Sequence, residues 1–529
     1  MDLTYYPYPS RRHVVLGRRG AVATSQPLAA LAGMEMLLKG GNAVDAAIAM
    51  AATLTVVEPT SNGIGGDLFA MVWDGTLHGL NASGKSPLSL TPERIPEGGM
   101  PERGWLPVTV PGAVSGWRAL HERFGRLPFP EVLAPAIRYA EEGFPVGPET
   151  ARAWRRAEGI YLPLKGPEFQ PFQETFFPQG RAPRAGEVWR SPGHAKTLRE
   201  IAETYGESFY RGNLAEAMAG FSEATGGLLS LEDLKTHEAV WVNPLSLEYR
   251  GLTVHELPPN GQGIATLLAL AILEGFELEP EDPFSYHVQI EAMRLALADA
   301  FQYVADPRYL EKPPQALLSP EYVASRRNLI GERALPQALP GMKPGGTVYL
   351  ATADGELMVS LIQSNYQGFG SGILVPGTGI ALQNRGLGFS LEEGHPNRVG
   401  PGKRPYHTII PGFLTREGRA LGPFGVMGGY MQPQGHLQVV VGLTNFDLNP
   451  QAALDRPRWQ VVPGRGGEDR VVLEPGIPQA TALVLRDLGH RVEYGMEPGY
   501  FGRGQVILRQ GEVLVAGSDP RAEGLALVW

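Results

Sequence analysis

Two short runs in this 529-residue chain carry residue types suited to acyl transfer. The first is Gly345-Gly346-Thr347-Val348-Tyr349, a threonine behind two glycines at the start of a strand-like stretch. A chain cut before Thr347 would expose a hydroxyl that can attack a carbonyl and an α-amino group that can take its proton. Some amidases make their nucleophile this way. An α-amino group ordinarily titrates at ~7.7–8.0, so near neutrality it is partly free to act as a base. Glycines before the cut tolerate the strained backbone that the reaction needs. The second run is Gly425-Val426-Met427-Gly428-Gly429-Tyr430. Gly428 and Gly429 offer adjacent N–H groups with no side chain in the way, the parts of an oxyanion hole. Taken alone, either run also fits an ordinary turn.

The elements around them follow from periodicity and caps. Pro27 to Lys39 has apolar residues at helical spacing and ends at Gly40-Gly41. Asn42 caps a second helix, Ala43 to Val57, apolar all round and so predicted to be buried. Asn62 to Gly66 reads as a tight loop, then Leu68 to Trp73 and Leu77 to Leu80 as a hairpin about Asp74-Gly75. Val110 to Phe124 reads as a helix entered through Pro111-Gly112. Leu252 to Glu256 is a predicted strand, followed by helices Ile264 to Leu273 and Tyr286 to Val304. Residues 312–346 are rich in Pro and Gly and form the best linker candidate. Val348 to Ala353 and Leu357 to Gln363 read as a second hairpin, with further strands at Leu382, Ile409 to Leu414, Leu437 to Val441, Val471 to Leu473 and Val506 to Leu508. Hairpins before and after a group of helices predict an α+β fold of antiparallel sheets under helices.

Composition narrows the chemistry. The formal charge is −9 and no long basic run occurs, which argues against a nucleic-acid partner. There is no Cys, so disulfides, thiolate metal sites and a Cys nucleophile are excluded. The eleven His show no metal-ligand spacing, and neither a dinucleotide fingerprint nor a phosphate loop is present. No metal and no cofactor is expected. No apolar stretch reaches the ~18–20 residues of a membrane span. Arg11, Arg12, Arg18 and Arg19 are not followed by an apolar leader, the pattern expected of a cytoplasmic protein.

Blocks along nearly the whole chain resemble the γ-glutamyltranspeptidase family of N-terminal-nucleophile (Ntn) hydrolases. They are Gly41 to Ala47, Val57-Glu58-Pro59, Gly63 to Gly66, Val110-Pro111-Gly112 with Gly116-Trp117, and Pro258-Pro259-Asn260-Gly261. His287, Glu291-Ala292, Asp299, Asp306-Pro307, Pro457-Arg458-Trp459 and Asp519-Pro520-Arg521 with Gly524 complete the set. The resemblance implies a four-layer αββα sandwich and self-cleavage between Gly346 and Thr347. Residues 1–346 would become a large subunit and 347–529 a small one, together forming one globular domain. It implies Thr347 as the nucleophile on a small-molecule γ-glutamyl amide such as glutathione. The acyl group would pass to water, an amino acid or a peptide. Gly428 and Gly429 would be the oxyanion glycines. Asn365 matches a residue that contacts the substrate's α-amino end, and Thr408 with His407 falls where a Ser pair binds the α-carboxylate. Whether the processed pair forms a homodimer is left open.

The departures are as informative. The small subunit would begin Thr-Val-Tyr rather than the family's common Thr-Thr-His. The family's carboxylate-binding Arg aligns near Ser83, with Lys85 two residues on. Its Gln and Asp, which hold the substrate ammonium, fall at Arg385 and Gly388. An Arg at ~4 Å from an ammonium meets a gross repulsion of about 4 kcal/mol at an effective dielectric of ~20. A glutaryl, succinyl or oxamate-like acyl group lacking that ammonium would instead be clamped by Arg385. Three readings follow: a γ-glutamyl amidohydrolase or acyltransferase, the same chemistry on another anionic acyl amide, and a non-catalytic relative.

Overall fold

A computed structural model describes residues 5, 7–9, 12–336, 346–464 and 469–529. Two seven-stranded antiparallel sheets form its centre. The first runs, edge to edge, Leu525–Val528, Gly20–Thr24, Gly346–Asp354, Met358–Tyr366, Asp67–Trp73, Leu77–Asn81 and Val240–Val242. The second runs Val15–Gly17, Val513–Ser518, Arg503–Gln510, Arg419–Met427, Gly412–Arg416, Leu252–Glu256 and Leu245–Tyr249. Both sheets contain strands from before and after Gly346, so the core is built jointly by the two parts of the chain.

Strand parity sorts the buried residues into three apolar layers. Val348, Leu350, Val359 and Leu361 point out of the first sheet toward the helices Pro27–Leu38 and Ala43–Val57. Ala21, Ala23, Tyr349, Ala351 and Ile362 point the other way and meet Phe413, Ile507 and Ala516 of the second sheet. Val254, Leu414, Val426 and Val506 face the helices Gly263–Leu273, Pro283–Tyr303 and Met431–Thr444. Three interfaces between four layers make the αββα sandwich. Small residues let the sheets approach closely: a Cβ at Gly425 would overlap the Tyr349 ring.

The Ala43–Val57 helix has the predicted bounds, and its Asn42 makes a full capping box with Asp45. Two strand predictions are overturned. Leu437 to Val441 is not a strand but the middle of the helix Met431–Thr444. Its apolar run fits a buried strand or a buried helix equally well. Gln434 and Gln438, one helical turn apart, settle the matter by donating to the carbonyls of Val461 and Trp459 on a neighbouring strand. Leu382 makes only an isolated bridge to Gly65, and the strand expected from Ile409 starts at Gly412. The expected linker holds a helix, Pro320–Arg327, and its residues 337–345 lie outside the described part.

Candidate active site

Thr347 lies at the start of the central strand Gly346–Asp354, fully buried, with its chain running on from Gly346. The hairpin register slips here, Gly346 pairing with Tyr366 and Val348 with Gln363. This bulge turns the Thr347 hydroxyl toward Ser364, Oγ1 to Oγ 3.1 Å. Ser364 Oγ also accepts from the Tyr366 N–H at 2.7 Å and from Arg385 Nη2 at 3.3 Å. Tyr366 has φ +77°, a left-handed conformation that an aromatic residue rarely adopts and that costs on the order of 1–3 kcal/mol.

Arg385 sits on a short 3-10 turn, Arg385–Gly388, and is fully buried. Its Nη1 donates to Thr408 Oγ1 at 2.7 Å, and its guanidinium lies 4.1 Å from the Tyr366 ring centroid. Nε is buried with no partner, and among the described residues no carboxylate forms an ion pair with it. Burial lowers its pKa to about 10, opposed by the nearby Tyr366, Asp67 and Tyr430. The side chain is still a cation at neutral pH. A buried charge with no carboxylate in direct contact is costly, and an incoming carboxylate would relieve that cost.

Gln262 joins this group to the glycine pair. Its Nε2 donates to the Thr408 carbonyl at 2.6 Å and to the Gly429 carbonyl at 2.9 Å, while its Oε1 accepts from the Tyr406 hydroxyl at 2.9 Å. Gly428 and Gly429 lie between the strand Arg419–Met427 and the helix Met431–Thr444, at φ +134° and +62°. Only glycine takes the first conformation readily. Their carbonyls accept from Met431 N at 3.0 Å and Gln432 N at 3.2 Å, while their own N–H groups find no acceptor among the described residues. One continuous set of contacts thus runs from Thr347 through Ser364, Arg385, Thr408 and Gln262 to Gly429.

The remaining sequence candidates divide. His407 is beside Thr408, but its ring turns to Asp67, Nε2 to Oδ2 2.8 Å. Its Nδ1 accepts from the Ile409 N–H at 3.4 Å, so the proton sits on Nε2. Burial, with Arg385 nearby, drives the imidazole well below its ordinary pKa and keeps it neutral. Burial raises the Asp67 carboxyl to about 7, against the pull of Arg385 and the Gly84 N–H. Ser83 is buried in a second polar group, donating to Asn81 Oδ1 at 2.7 Å and touching Asn260 at 3.3 Å. Lys85 is partly exposed, with Arg404, Arg308, Asp306 and Glu238 as the charges that act on it. Asn365 points to the opposite face of the sheet from Ser364. Its Nδ2 donates to the Phe369 carbonyl at 3.2 Å, and its Oδ1 is buried without a partner. A side chain at Gly388 would collide with the Tyr406 carbonyl, so the turn admits no acidic residue there. Ser364 and Gln262 were missed from sequence. Equal counting outward from the Asp354-Gly355 turn places Ser364 opposite Thr347; nothing comparable marks Gln262.

Two cavities open beside these residues. The larger, about 950 Å³, begins at Tyr366 and continues past Leu387 and Phe389 to Val472 and Tyr494. The smaller, about 460 Å³, begins at Gly428 and Met427 and is lined by Arg103, Arg156 and Arg503. Glu102 and Gln367 belong to the wall of both.

Known proteins share this plan. The family described as Gamma-glutamyltranspeptidase matches residues 29–529. The oxamate amidohydrolase proenzyme of Klebsiella pneumoniae is 36% identical over 523 residues, covering 96% of this chain and 98% of that protein. The glutathione hydrolase-like YwrD proenzyme of Bacillus subtilis is 35% identical over 529 residues, covering 97% and 99%. The crystal structure of cephalosporin acylase from Bacillus halodurans superposes with a TM-score of 0.95 at 54% identity, covering 100% of this chain and 99% of that one.

Proposed function

The chain belongs to the gamma-glutamyltranspeptidase family of Ntn hydrolases, and on that premise we propose that it is a self-processing amidohydrolase for amides of anionic acyl groups, with Thr347 as nucleophile. The observation that carries the acyl preference is Arg385, a buried cation with no carboxylate in direct contact among the described residues, one hydroxyl away from Thr347.

Maturation opens the peptide bond between Gly346 and Thr347. Thr347 Oγ adds to the Gly346 carbonyl carbon, the C–N bond breaks, and the nitrogen takes the hydroxyl proton to become the free α-amino group. Water then hydrolyses the ester, freeing Gly346 as a carboxylate. Strands of both pieces pair within each sheet, so the two pieces stay together.

In turnover the α-amino group takes the Thr347 hydroxyl proton as Oγ adds to the substrate carbonyl. The N–H groups of Gly428 and Gly429 receive the developing oxyanion. The C–N bond breaks and the leaving amine takes that proton, giving an acyl ester on Thr347. Water repeats the sequence, losing a proton to the α-amino group, and the acid departs. An amine in place of water gives transfer. Arg385 holds the far carboxylate of the acyl group, with Thr408 fixing the guanidinium.

A γ-glutamyl donor is the second reading, favoured by the likeness to the glutathione hydrolase-like proenzyme of Bacillus subtilis, although Asn365 turns to the face of the sheet away from Ser364. Glutaryl and γ-glutamyl anilides differ only in that ammonium. Higher kcat/KM for the glutaryl compound supports the anionic-acyl reading, and higher kcat/KM for the γ-glutamyl compound replaces it with the second.

A further inference from the structure

The smaller cavity has a charge pattern that the acyl half of the substrate does not use. Its lining includes three cations, Arg103, Arg156 and Arg503, and one carboxylate, Glu102. Two of the cations are met from behind. Arg156 pairs with Glu497 at 2.7 Å, and Arg503 lies 3.4 Å from Glu58 and 3.9 Å from Glu149. Arg103 differs. Its Nη1 donates only to neutral acceptors, the Glu102 carbonyl at 2.8 Å and Gln367 Oε1 at 3.1 Å. Its guanidinium lies 5.0 Å from the Tyr161 ring centroid, and its Nε is buried without a partner. Among the described residues it forms no ion pair.

The position of Arg103 is fixed. Tyr161 is itself anchored, its hydroxyl donating to the carbonyls of Gln367 and Gly370 at 3.1 and 2.9 Å. Gln367 Oε1 accepts from Asn384 Nδ2 at 3.2 Å, next in sequence to Arg385. Arg103 and Arg385 therefore touch consecutive residues, Gln367 and Tyr366. Gly428 lines the same cavity as Arg103, and Tyr366 is over Arg385. A scissile amide held at Gly428, with its acyl carboxylate on Arg385, sends its amine half into the smaller cavity.

We propose that this cavity is the amine-half subsite and that Arg103 binds a carboxylate carried by the leaving amine. Arg103 would then select, among amides of anionic acyl groups, those whose leaving amine carries a carboxylate. Planar, two-pronged recognition of a carboxylate suits a guanidinium held against a ring. The inference rests on the acyl-transfer reading above, which gives the cavity its meaning.

The test compares glutaryl anilide with the glutaryl amide of 4-aminobenzoate, which adds one carboxylate to the leaving amine. The wild type is expected to favour the carboxylated donor in kcat/KM by about tenfold, mostly through KM. Arg103→Gln should collapse that ratio toward one, and Arg103→Lys should restore part of it. Separately, equilibrium dialysis of 4-aminobenzoate against aniline reads the subsite without turnover. Saturable binding of 4-aminobenzoate that weakens about tenfold in Arg103→Gln supports the proposal even where neither donor is cleaved, an outcome that would count against the acyl-transfer reading alone. A donor ratio and a 4-aminobenzoate affinity both indifferent to Arg103→Gln would overturn it.

Discussion

The guanidinium of Arg385 lies 4.1 Å from the centroid of the Tyr366 ring, and among the described residues no carboxylate is in direct contact with it, Asp67 acting from farther off. The ring face and the hydroxyls of Thr408 and Ser364 are what hold the charge. Replacing Arg385 by Ala should lower kcat/KM for glutaryl anilide by roughly a hundredfold, the loss of a charge-assisted pair, and affect butyryl anilide far less. Equal losses for both donors would mean that Arg385 supports the fold rather than the acyl carboxylate.

Gln262 bonds the Thr408 and Gly429 carbonyls with one amide nitrogen. Gln262→Leu would leave both carbonyls buried and short of a donor. We expect a stability loss of about 1–3 kcal/mol by urea unfolding and a fall in kcat of about tenfold as the glycine pair shifts. A variant that unfolds earlier yet keeps full kcat would separate the amide from the oxyanion position.

Glu58 gives a pH-dependent signature. It is buried, accepts from Ser25 Oγ at 2.5 Å and lies 3.4 Å from Arg503. Burial raises its carboxyl from 4.5 to about 7, partly offset by Arg503 and Ser25. Between those values the folded chain keeps a proton that the unfolded chain has released. Stability is therefore full below about pH 4.5 and falls as pH rises to about 7, by up to about 3 kcal/mol for this group. Glu58→Gln keeps the shape and removes the titration. Its Tm should drop less than that of the wild type between about pH 5 and about pH 7.5; an identical drop would show that Glu58 titrates normally.

Much of this was legible in the residues. The Asn42 cap and the apolar run to Val57 define their helix, because cap chemistry and period are local signals. The Asp354-Gly355 turn announces the hairpin that carries Thr347. Arg385 and Thr408, 23 residues apart, meet through a hydrogen bond that no local pattern announces. What failed depended on tertiary context. Val439 to Val441 favour a strand by residue type, yet the Gly428-Gly429 turn and the packing of Gln434 and Gln438 make a helix. Asn365 and Ser364 are adjacent in sequence, but strand parity sends them to opposite faces, so a one-residue alignment choice decides which lies beside Thr347. Lys85 follows the buried Ser83 by two residues, yet the charges that act on it are Arg404, Arg308, Asp306 and Glu238. Sequence spacing does not contain that direction.

The most direct test is the denatured mass of freshly purified protein beside a Thr347→Ala variant. The proposed mechanism predicts two fragments in the wild type, residues 1–346 and 347–529, the smaller with Thr347 at its N-terminus, and one intact chain in the variant. A wild type that stays intact on warming, or a variant that is cut at the same bond, would contradict Thr347 as the nucleophile.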